Sequence, residues 1–266
     1  IATVTASDAD DSSLNFSVSG SELLITDSGA LSFVSAPDYE TKSSYTATIT
    51  VSDGVATASQ NITVSVNNLN DNPPVFTSSA SFNAAENQTT IGTVTATDAD
   101  GNTISFSVSG SELSLSSSGQ LAFKAAPDYE TKTTYTAIVT LSDGNLSATQ
   151  NITINVTNIN DNAPVIADFA ANTEVSNGQT SVLTVEVTDA DGDIPTLTLT
   201  GADAAALSIS SEGVIAFNAS PSFASPTDTD GDNVYEFTVN ADDSVNTSTK
   251  SGTVTVLETN DPPTFT

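Results

Sequence analysis

Acidic side chains recur in this sequence at spacings that could gather oxygen atoms around a cation. Asp38 and Glu40 are separated by one residue, as are Asp8 and Asp10. In an extended segment, residues i and i+2 point to the same side, so each pair can aim two carboxylates at one point. Such convergence is costly unless a cation lies between the carboxylates. Because carboxylate and amide oxygens are hard ligands, these positions favour calcium or magnesium binding.

The composition excludes several other kinds of site. The 266 residues include 33 acidic residues and only four basic ones, for a formal net charge of −29. This balance argues against binding to nucleic acid or to an anionic membrane, since both need cationic side chains. The chain has no Cys, His or Trp, which excludes disulfides and metal sites built on thiolate or imidazole. The alternative to bound divalent cations is a solvated surface surrounded by monovalent counterions.

Catalysis is not predicted for this chain. Without His or Cys, the sequence has no imidazole acid or base and no thiol nucleophile, and no motif pairs a Ser or Thr with a base. A pair of carboxylates can hydrolyse glycosides. Here, however, the carboxylates recur in successive copies of one pattern, as expected of structural ligands. We therefore expect a protein that is not an enzyme.

The chain is internally repetitive. Residues 1–76 align without a gap with residues 91–166, and a third, diverged copy follows. The predicted domains are repeat 1 (residues 1–72, lacking its first strand), repeat 2 (73–162), repeat 3 (163–261) and the start of a further repeat (262–266). Because the copies are cut unevenly, the natural protein is predicted to be longer at both ends.

Each copy alternates apolar and polar residues with a period of two, which is the pattern of half-buried strands. Leu14, Phe16 and Val18 show it in repeat 1, and Tyr235 and Phe237 show it in repeat 3. Turn signals separate the alternating runs, and no segment shows helical spacing over more than a turn. About seven short strands in each repeat predict an antiparallel, immunoglobulin-like β-sandwich. The fold class is therefore all-β, with tandem sandwiches in a linear array.

Four short motifs carry a resemblance to a known family. They are Asp-Ala-Asp (residues 98–100), Pro-Asp-Tyr-Glu (127–130), Ser-Asp-Gly (142–144) and Asn-Asp-Asn (160–162). Together they resemble the cadherin repeat, in the form found in long bacterial surface proteins, over essentially the whole chain. The resemblance implies Greek-key sandwiches that bind Ca²⁺ at the junction between successive repeats.

The resemblance also implies which residues bind the metal. For the junction of repeats 1 and 2, the ligands would be Asp38, Glu40, Asn70, Asp71, Asn72, Asp98, Asp100 and Asp143. For the junction of repeats 2 and 3, they would be Glu86, Asp128, Glu130, Asn160, Asp161, Asn162, Asp189, Asp191 and Asp243. The equivalent ligands in repeat 1 would be Asp8, Asp10 and Asp53.

The roles differ within each set. Asp71 would bridge the repeats, Asn70 would offer its side-chain oxygen, and Asn72 would offer its backbone carbonyl. The choice of Asp243 over Asp242 keeps the strand alternation of repeat 3 in register with that of repeat 2. The repeat 1 counterpart of Glu86 would lie before the first residue of this chain.

The chain departs from the family pattern in its linkers and in repeat 3. In the linkers after repeats 1 and 2, Asn68 and Asn158 stand where the linker of the family starts with Asp, which removes one charge at each junction. In repeat 3, Pro-Ser-Phe-Ala (residues 221–224) replaces Pro-Asp-Tyr-Glu. An insertion follows with acids at alternate positions, Asp228, Asp230 and Asp232. It resembles a self-contained calcium loop, or a substitute for the lost ligands. These changes make the junction at residues 260–261 the least regular one.

The predicted function is that of a calcium-rigidified extracellular spacer, or stalk, of a bacterial surface adhesin or filament, at the cell surface or secreted. Its partners would be the neighbouring repeats of the same chain. The alternative is a calcium-dependent module that binds a polysaccharide or adheres to identical repeats on another chain. No apolar run is long enough to span a membrane.

Overall fold

In the computed structural model, which describes residues 1–10 and 13–259, the chain is built from β-strands and one short 3-10 turn at Ala204–Ala206. The all-β prediction is thereby confirmed. The predicted start of a further repeat at residues 262–266, and the junction at residues 260–261, lie outside the described residues.

Repeat 1 contains six described strands in two sheets. The strands are β1 (Ala2–Thr3), β2 (Asn15–Val18), β3 (Leu23–Ile25), β4 (Ala30–Phe33), β5 (Ser44–Ser52) and β6 (Thr57–Ser65). The sheet orders are β1-β4-β3 and β2-β5-β6. Leu23, Leu31, Ala47 and Ile49 form the buried core of this repeat, and Ala47 and Ile49 occupy apolar positions of the alternating pattern in β5.

Repeat 2 adds nine strands. They are β7 (Val75–Phe76), β8 (Ser81–Ala85), β9 (Thr90–Thr93), β10 (Ala96–Thr97), β11 (Ser105–Val108), β12 (Leu113–Leu115), β13 (Gln120–Phe123), β14 (Thr134–Ser142) and β15 (Ser147–Thr157). The sheet orders are β10-β7, β12-β13-β9 and β11-β14-β15-β8. In this last sheet the edge strand β8 lies beside β15, whereas in repeat 1 the described sheet ends at β6.

Repeat 3 follows the same plan. Its strands are β16 (Val165–Ile166), β17 (Asn172–Ser176), β18 (Ser181–Thr184), β19 (Val187–Thr188), β20 (Thr196–Thr200), β21 (Leu207–Ile209), β22 (Val214–Phe217), β23 (Val234–Asp242) and β24 (Thr247–Leu257). The sheet orders are β16-β19, β18-β22-β21 and β17-β24-β23-β20. The edge strand β17 runs parallel to β24, a departure from the predicted antiparallel pairing.

The chain divides into two compact units. One contains residues 1–82, 89–125 and 135–154, and the other contains residues 83–88, 126–134 and 155–266. The first unit holds repeat 1 and most of repeat 2, and the second holds repeat 3 with three short segments of repeat 2. This division reflects which residues contact one another and does not coincide with the sequence repeats. The predicted limits of the repeats therefore stay a prediction.

Within the described residues, repeat 1 has no strand beside β6 where repeat 2 has β8 beside β15, so we expect repeat 1 to be less sensitive to core truncation than repeat 2. Ile152 in β15 is 1% exposed, whereas its repeat 1 equivalent, Ile62 in β6, is only half-buried. We expect Ile152→Ala to lower the free energy of unfolding by about 2–5 kcal/mol and Ile62→Ala to cost clearly less, because the cost follows buried volume. Hydrogen exchange of the strand amides in each variant measures the two changes. Equal losses of unfolding free energy in the two variants would contradict the expectation that the cost follows buried volume.

Candidate metal sites at the repeat junctions

Three carboxylates meet at the junction of repeats 1 and 2. Glu40 lies in the turn between β4 and β5, Asp71 in the linker between β6 and β7, and Asp100 in the loop between β10 and β11. One carboxylate oxygen from each lies within 4.8 Å of the others. We call these three residues the first junction cluster. Two repeats and the linker therefore supply oxygen atoms to one place.

Asp100 fixes the path of the linker. Its Oδ2 accepts the backbone N–H of Asp71 at 3.1 Å and that of Asn72 at 2.9 Å, and its Oδ1 accepts the Asn72 side-chain amide at 3.0 Å. The Asn72 side-chain hydrogen bond is the main reason that the pKa of Asp100 is lowered. The carboxylate is thus held ionised, although Asp100 is only 8% exposed.

Three oxygen atoms are buried without a hydrogen-bond partner on residues that adjoin this cluster in the sequence or in a turn that contacts its linker. They belong to the side chains of Asn70, Asp98 and Asp143. The other carboxylate oxygen of Asp143 accepts the backbone N–H groups of Asn145 at 2.7 Å and Leu146 at 2.6 Å, so that the side chain is fixed in its turn. Buried oxygen atoms without a partner are rare because their desolvation is costly. A cation coordinated by these oxygens would offset that cost.

Four carboxylates meet at the junction of repeats 2 and 3. Glu86, Glu130, Asp161 and Asp191 each place one oxygen within 4.8 Å of the others, and we call them the second junction cluster. Asp191 Oδ2 accepts the backbone N–H groups of Asp161 at 3.1 Å and Asn162 at 2.8 Å. These hydrogen bonds repeat those of Asp100, so the two linkers are held in the same way.

Glu86 is the most deeply buried acid of this cluster, at 2% exposed. Its Oε2 accepts the backbone N–H of Tyr129 at 2.7 Å, and its Oε1 accepts that of Ile159 at 2.8 Å. Burial, followed by the charges of Glu86 and Asp191, raises the pKa of Glu130. Without a cation, the carboxylates of this cluster therefore repel one another.

The buried oxygens without a partner also recur at the second junction. They belong to Asn160, Asp189 and Asp243, which are the repeat equivalents of the three at the first junction. Asp243 is 7% exposed, whereas Asp242 is exposed and accepts the backbone N–H of Ser244 at 2.8 Å. The geometry thus brings Asp243 to the junction and leaves Asp242 at the surface.

Asp38 and Asp128 do not join the described clusters. Residues 39–41 and 129–131 form turns, so the prediction that these segments are extended is wrong. Asp38 Oδ2 accepts the Thr41 hydroxyl at 2.7 Å, which is the main reason that the pKa of Asp38 is lowered. Asp128 accepts the backbone N–H of Thr131 at 3.1 Å and its hydroxyl at 3.0 Å. These carboxylates stabilise local turns because the threonine lies three residues later.

Asp8, Asp10 and Asp53, the predicted ligands of repeat 1, take part in local turns. Asp8 Oδ1 accepts the backbone N–H of Asp10 at 2.8 Å, and Asp53 Oδ1 accepts those of Val55 at 2.7 Å and Ala56 at 2.6 Å. None of the three acids belongs to a described group of three carboxylates.

The sequence analysis missed Asp193 and did not predict the hydrogen bonds of Asn68 and Asn158. Asp193 forms a further carboxylate group with Asp189 and Asp191, and the alternation Asp-Ala-Asp-Gly-Asp was the signal that could have identified it. The side-chain amide of Asn68 donates to the Asp100 carbonyl at 2.9 Å, and that of Asn158 donates to the Asp191 carbonyl at 2.7 Å. An aspartate at these two positions would lose this bond. The asparagines therefore tie each linker to the following repeat.

Sequence comparisons relate this chain to known proteins. The family model described as a bacterial Ig domain matches residues 70–155. Human Protocadherin Fat 4 is 34% identical over 182 residues, which cover 62% of this chain and 4% of that protein. The mouse cadherin EGF LAG seven-pass G-type receptor 1 is 32% identical over 149 residues, which cover 50% of this chain and 5% of that protein. The chain thus spans a small part of the relatives that it matches.

Solved structures show the same architecture. Mouse cadherin-23 EC22-24 has a TM-score of 0.69 and 22% identity, covering 97% of this chain and 92% of that one. The extracellular cadherin domains 3-6 of protocadherin gamma B2 have a TM-score of 0.77 and 21% identity, covering 93% of this chain and 69% of that one. No helix in the described residues is long and apolar enough to cross a membrane. The fold of this chain is therefore that of tandem cadherin-like repeats.

Proposed function

We propose that this chain is a calcium-rigidified extracellular spacer of a bacterial surface adhesin or filament, with calcium bound at the junctions between repeats. One observation carries the proposal. Both junctions place the same three buried, unpartnered oxygens beside a cluster of carboxylates: those of Asn70, Asp98 and Asp143, and those of Asn160, Asp189 and Asp243. A local turn needs no such oxygens, whereas a calcium site uses six to eight oxygen ligands.

Repulsion between carboxylates, offset by bound calcium, is the proposed mechanism of stiffening. With a formal net charge of −29, the chain repels itself, and the repulsion is strongest where carboxylates meet. Calcium would draw oxygens of two repeats and their linker onto shared ions. Because the ions bind only the assembled junction, their binding free energy stabilises the contact between repeats. In a tandem array the stiffness of the chain is set at these contacts.

The extracellular setting supports this role. The solved structures with this fold include extracellular domains of protocadherins, and the matching family model is a bacterial one. Extracellular calcium-binding modules have dissociation constants of about 0.1–1 mM. Junctions of this affinity would stay filled outside the cell and empty inside it. In this role the chain carries no catalytic activity and serves to hold another domain away from the cell.

The test is a calcium titration of the EDTA-treated chain by calorimetry, with small-angle scattering before and after. We expect saturable binding of several ions, together with a change from a flexible to a stiff, extended particle. Absence of binding at millimolar calcium would contradict the proposal. Binding without a change in scattering would contradict the spacer role while leaving the metal sites in place.

Adhesion between chains is the second candidate. The protocadherin gammaB7 EC3-6 cis-dimer structure matches over 94% of this chain and 67% of that one. If this chain associates in the same manner, sedimentation velocity would show a dimer that forms only with calcium. A monomer at all calcium concentrations would favour the spacer.

A further inference from the structure

The loop between β22 and β23 contains a fourth group of carboxylates, and all of its members belong to repeat 3. Asp228, Asp230 and Asp232 each place one oxygen within 4.8 Å of the others. They occupy alternate positions of the insertion that follows Pro-Ser-Phe-Ala, and we call this segment (residues 228–232) the insertion loop. All its acids come from one short segment, so this site needs no second repeat and no linker.

Asp228 is the buried centre of the loop, at 8% exposed. Its Oδ2 accepts the backbone N–H groups of Asp232 at 2.7 Å and Asn233 at 3.2 Å. Its Oδ1 is buried and has no hydrogen-bond partner. An ionised oxygen in this position costs more free energy than a neutral one, because it loses hydration and gains nothing in return. A turn-capping aspartate needs only the first oxygen, so the second oxygen points to a ligand.

The protein holds the insertion loop from both sides. Asp203 is 5% exposed and accepts the backbone N–H groups of Thr229 at 2.7 Å and Glu236 at 2.9 Å. On the other side, the Tyr235 hydroxyl accepts the backbone N–H of Thr227 at 3.1 Å. A loop fixed in this way loses little conformational entropy when an ion binds. Asp203 therefore acts as a positioning residue.

The loop is strongly negative. The charge of Asp232, followed by burial, raises the pKa of Asp230, and burial together with neighbouring carboxylates raises the pKa of Glu236. Lys42 pairs with Glu22 and Lys250 pairs with Asp168. Both of these ion pairs involve residues outside the loop, so neither neutralises it.

We propose that the insertion loop binds one calcium ion within repeat 3, through Asp228 Oδ1 and the carboxylates of Asp230 and Asp232. The donors are all hard oxygens, which suit calcium. Acids at the first, third and fifth positions match the spacing of an EF-hand loop, but Gly231 is the fourth residue and not the sixth, so the loop is not an EF-hand. The ion would fix the insertion that follows Pro-Ser-Phe-Ala, the repeat 3 counterpart of Pro-Asp-Tyr-Glu.

The test compares Asp230→Asn with a matched control, Glu212→Gln. Asp230 is exposed, and asparagine keeps its size while removing one charge. Glu212 is an exposed acid in the turn before β22 of the same repeat. We expect calorimetry to show about one calcium ion fewer per chain for Asp230→Asn and an unchanged number for Glu212→Gln. An unchanged number for both variants would overturn the proposal.

The melting temperature of Asp230→Asn, with and without calcium, gives a readout that a structural role alone would not produce. In EDTA, Asp230→Asn should melt at the same or a higher temperature than the parent, because it removes repulsion with Asp232. In saturating calcium it should melt at a lower temperature than the parent. A lower melting temperature in both conditions would mean that Asp230 has only a structural role, which would also overturn the proposal.

This site does not depend on the junction ions. Asp191→Asn, at the second junction cluster, should leave the calcium ion of the insertion loop in place. Failure of calcium binding at the junctions would therefore reduce the number of ions but retain the difference between Asp230→Asn and Glu212→Gln. Asp228→Asn is a second variant of the loop, because the asparagine carbonyl can still accept from Asp232 and Asn233. It too should lose about one ion.

Discussion

Replacing Glu86 by glutamine is expected to weaken calcium binding at the second junction by at least about tenfold, because affinity in oxygen sites depends strongly on the number of ligand charges. Glu86 is 2% exposed and lies within 4.8 Å of the carboxylate oxygens of Glu130, Asp161 and Asp191. A neutral amide at this position removes one charge from the centre of the cluster. Calorimetry of the variant against the parent measures the change.

The alanine variant at the same position separates folding from metal binding. Glu86 accepts the backbone N–H groups of Tyr129 and Ile159, and both would lose their acceptor in Glu86→Ala. We expect a loss of about 2–3 kcal/mol in the free energy of unfolding in EDTA, from two hydrogen bonds at about 1 kcal/mol each and the cost of leaving the groups unpaired. Glutamine retains one acceptor, so Glu86→Gln should lose less.

The control is Glu174→Gln. Glu174 is an exposed acid of β17, and its replacement removes the same charge without touching a cluster. It should bind calcium as the parent does. Parental calcium affinity in Glu86→Gln would contradict the assignment of Glu86 to the site, whatever its effect on stability.

The fold was predictable because alternation and burial agree strand by strand. Tyr235, Phe237 and Val239 in β23 point to the core and are each at most 2% exposed, and the residues between them are not buried. The parallel pairing of β17 with β24 was not predictable. An edge strand has the same local pattern in either direction, and only its connection to the rest of the sandwich decides its orientation.

The candidate sites were predictable to the extent that their acids repeat. Asp100 and Asp191 recur at equivalent positions and make equivalent hydrogen bonds with their linkers. Asp38 was expected to join Glu40 at the junction by assuming an extended segment, but in the turn that forms instead its carboxylate accepts the Thr41 hydroxyl and lies outside the described group that contains Glu40. Local hydrogen bonds of this kind depend on a turn that forms only after the flanking strands are in place. Whether an acid joins a junction cluster or accepts a local hydrogen bond therefore cannot be predicted from the spacing of two acids.

Asp203 shows a second limit of reasoning from the sequence. It lies outside every repeated motif, yet it is 5% exposed and holds both Thr229 and Glu236 by their backbone N–H groups. Although its burial acts to raise its pKa, the hydrogen bonds from Glu236 and Thr229 lower it overall. The stability that this group contributes is therefore present above the unfolded pKa of about 4 and is lost as the pH falls through the lower folded value.

Asp143→Asn is expected to lower calcium affinity at the first junction by at least about tenfold, while the equivalent Asp53→Asn leaves it unchanged. The two aspartates have the same local role. Asp143 accepts from Asn145 and Leu146 at 2.7 and 2.6 Å, and Asp53 accepts from Val55 and Ala56 at the same distances. Asparagine keeps one acceptor oxygen for these turns, so both variants should retain the parental stability in EDTA.

What distinguishes the two positions is the second carboxylate oxygen. In Asp143 this oxygen is buried without a hydrogen-bond partner. Burial acts to raise the pKa of Asp143, but the backbone N–H groups of Leu146 and Asn145 lower it overall. Asp53 belongs to no described carboxylate group. Calorimetry measures the calcium affinity of the two variants, and melting curves in EDTA and in calcium measure their stability. The comparison is between a proposed ligand, Asp143, and an aspartate with the same turn hydrogen bonds, Asp53. If both variants bound calcium equally well, the buried oxygen of Asp143 would not be a ligand, and the first junction would have to bind its ion without repeat 2's later loop.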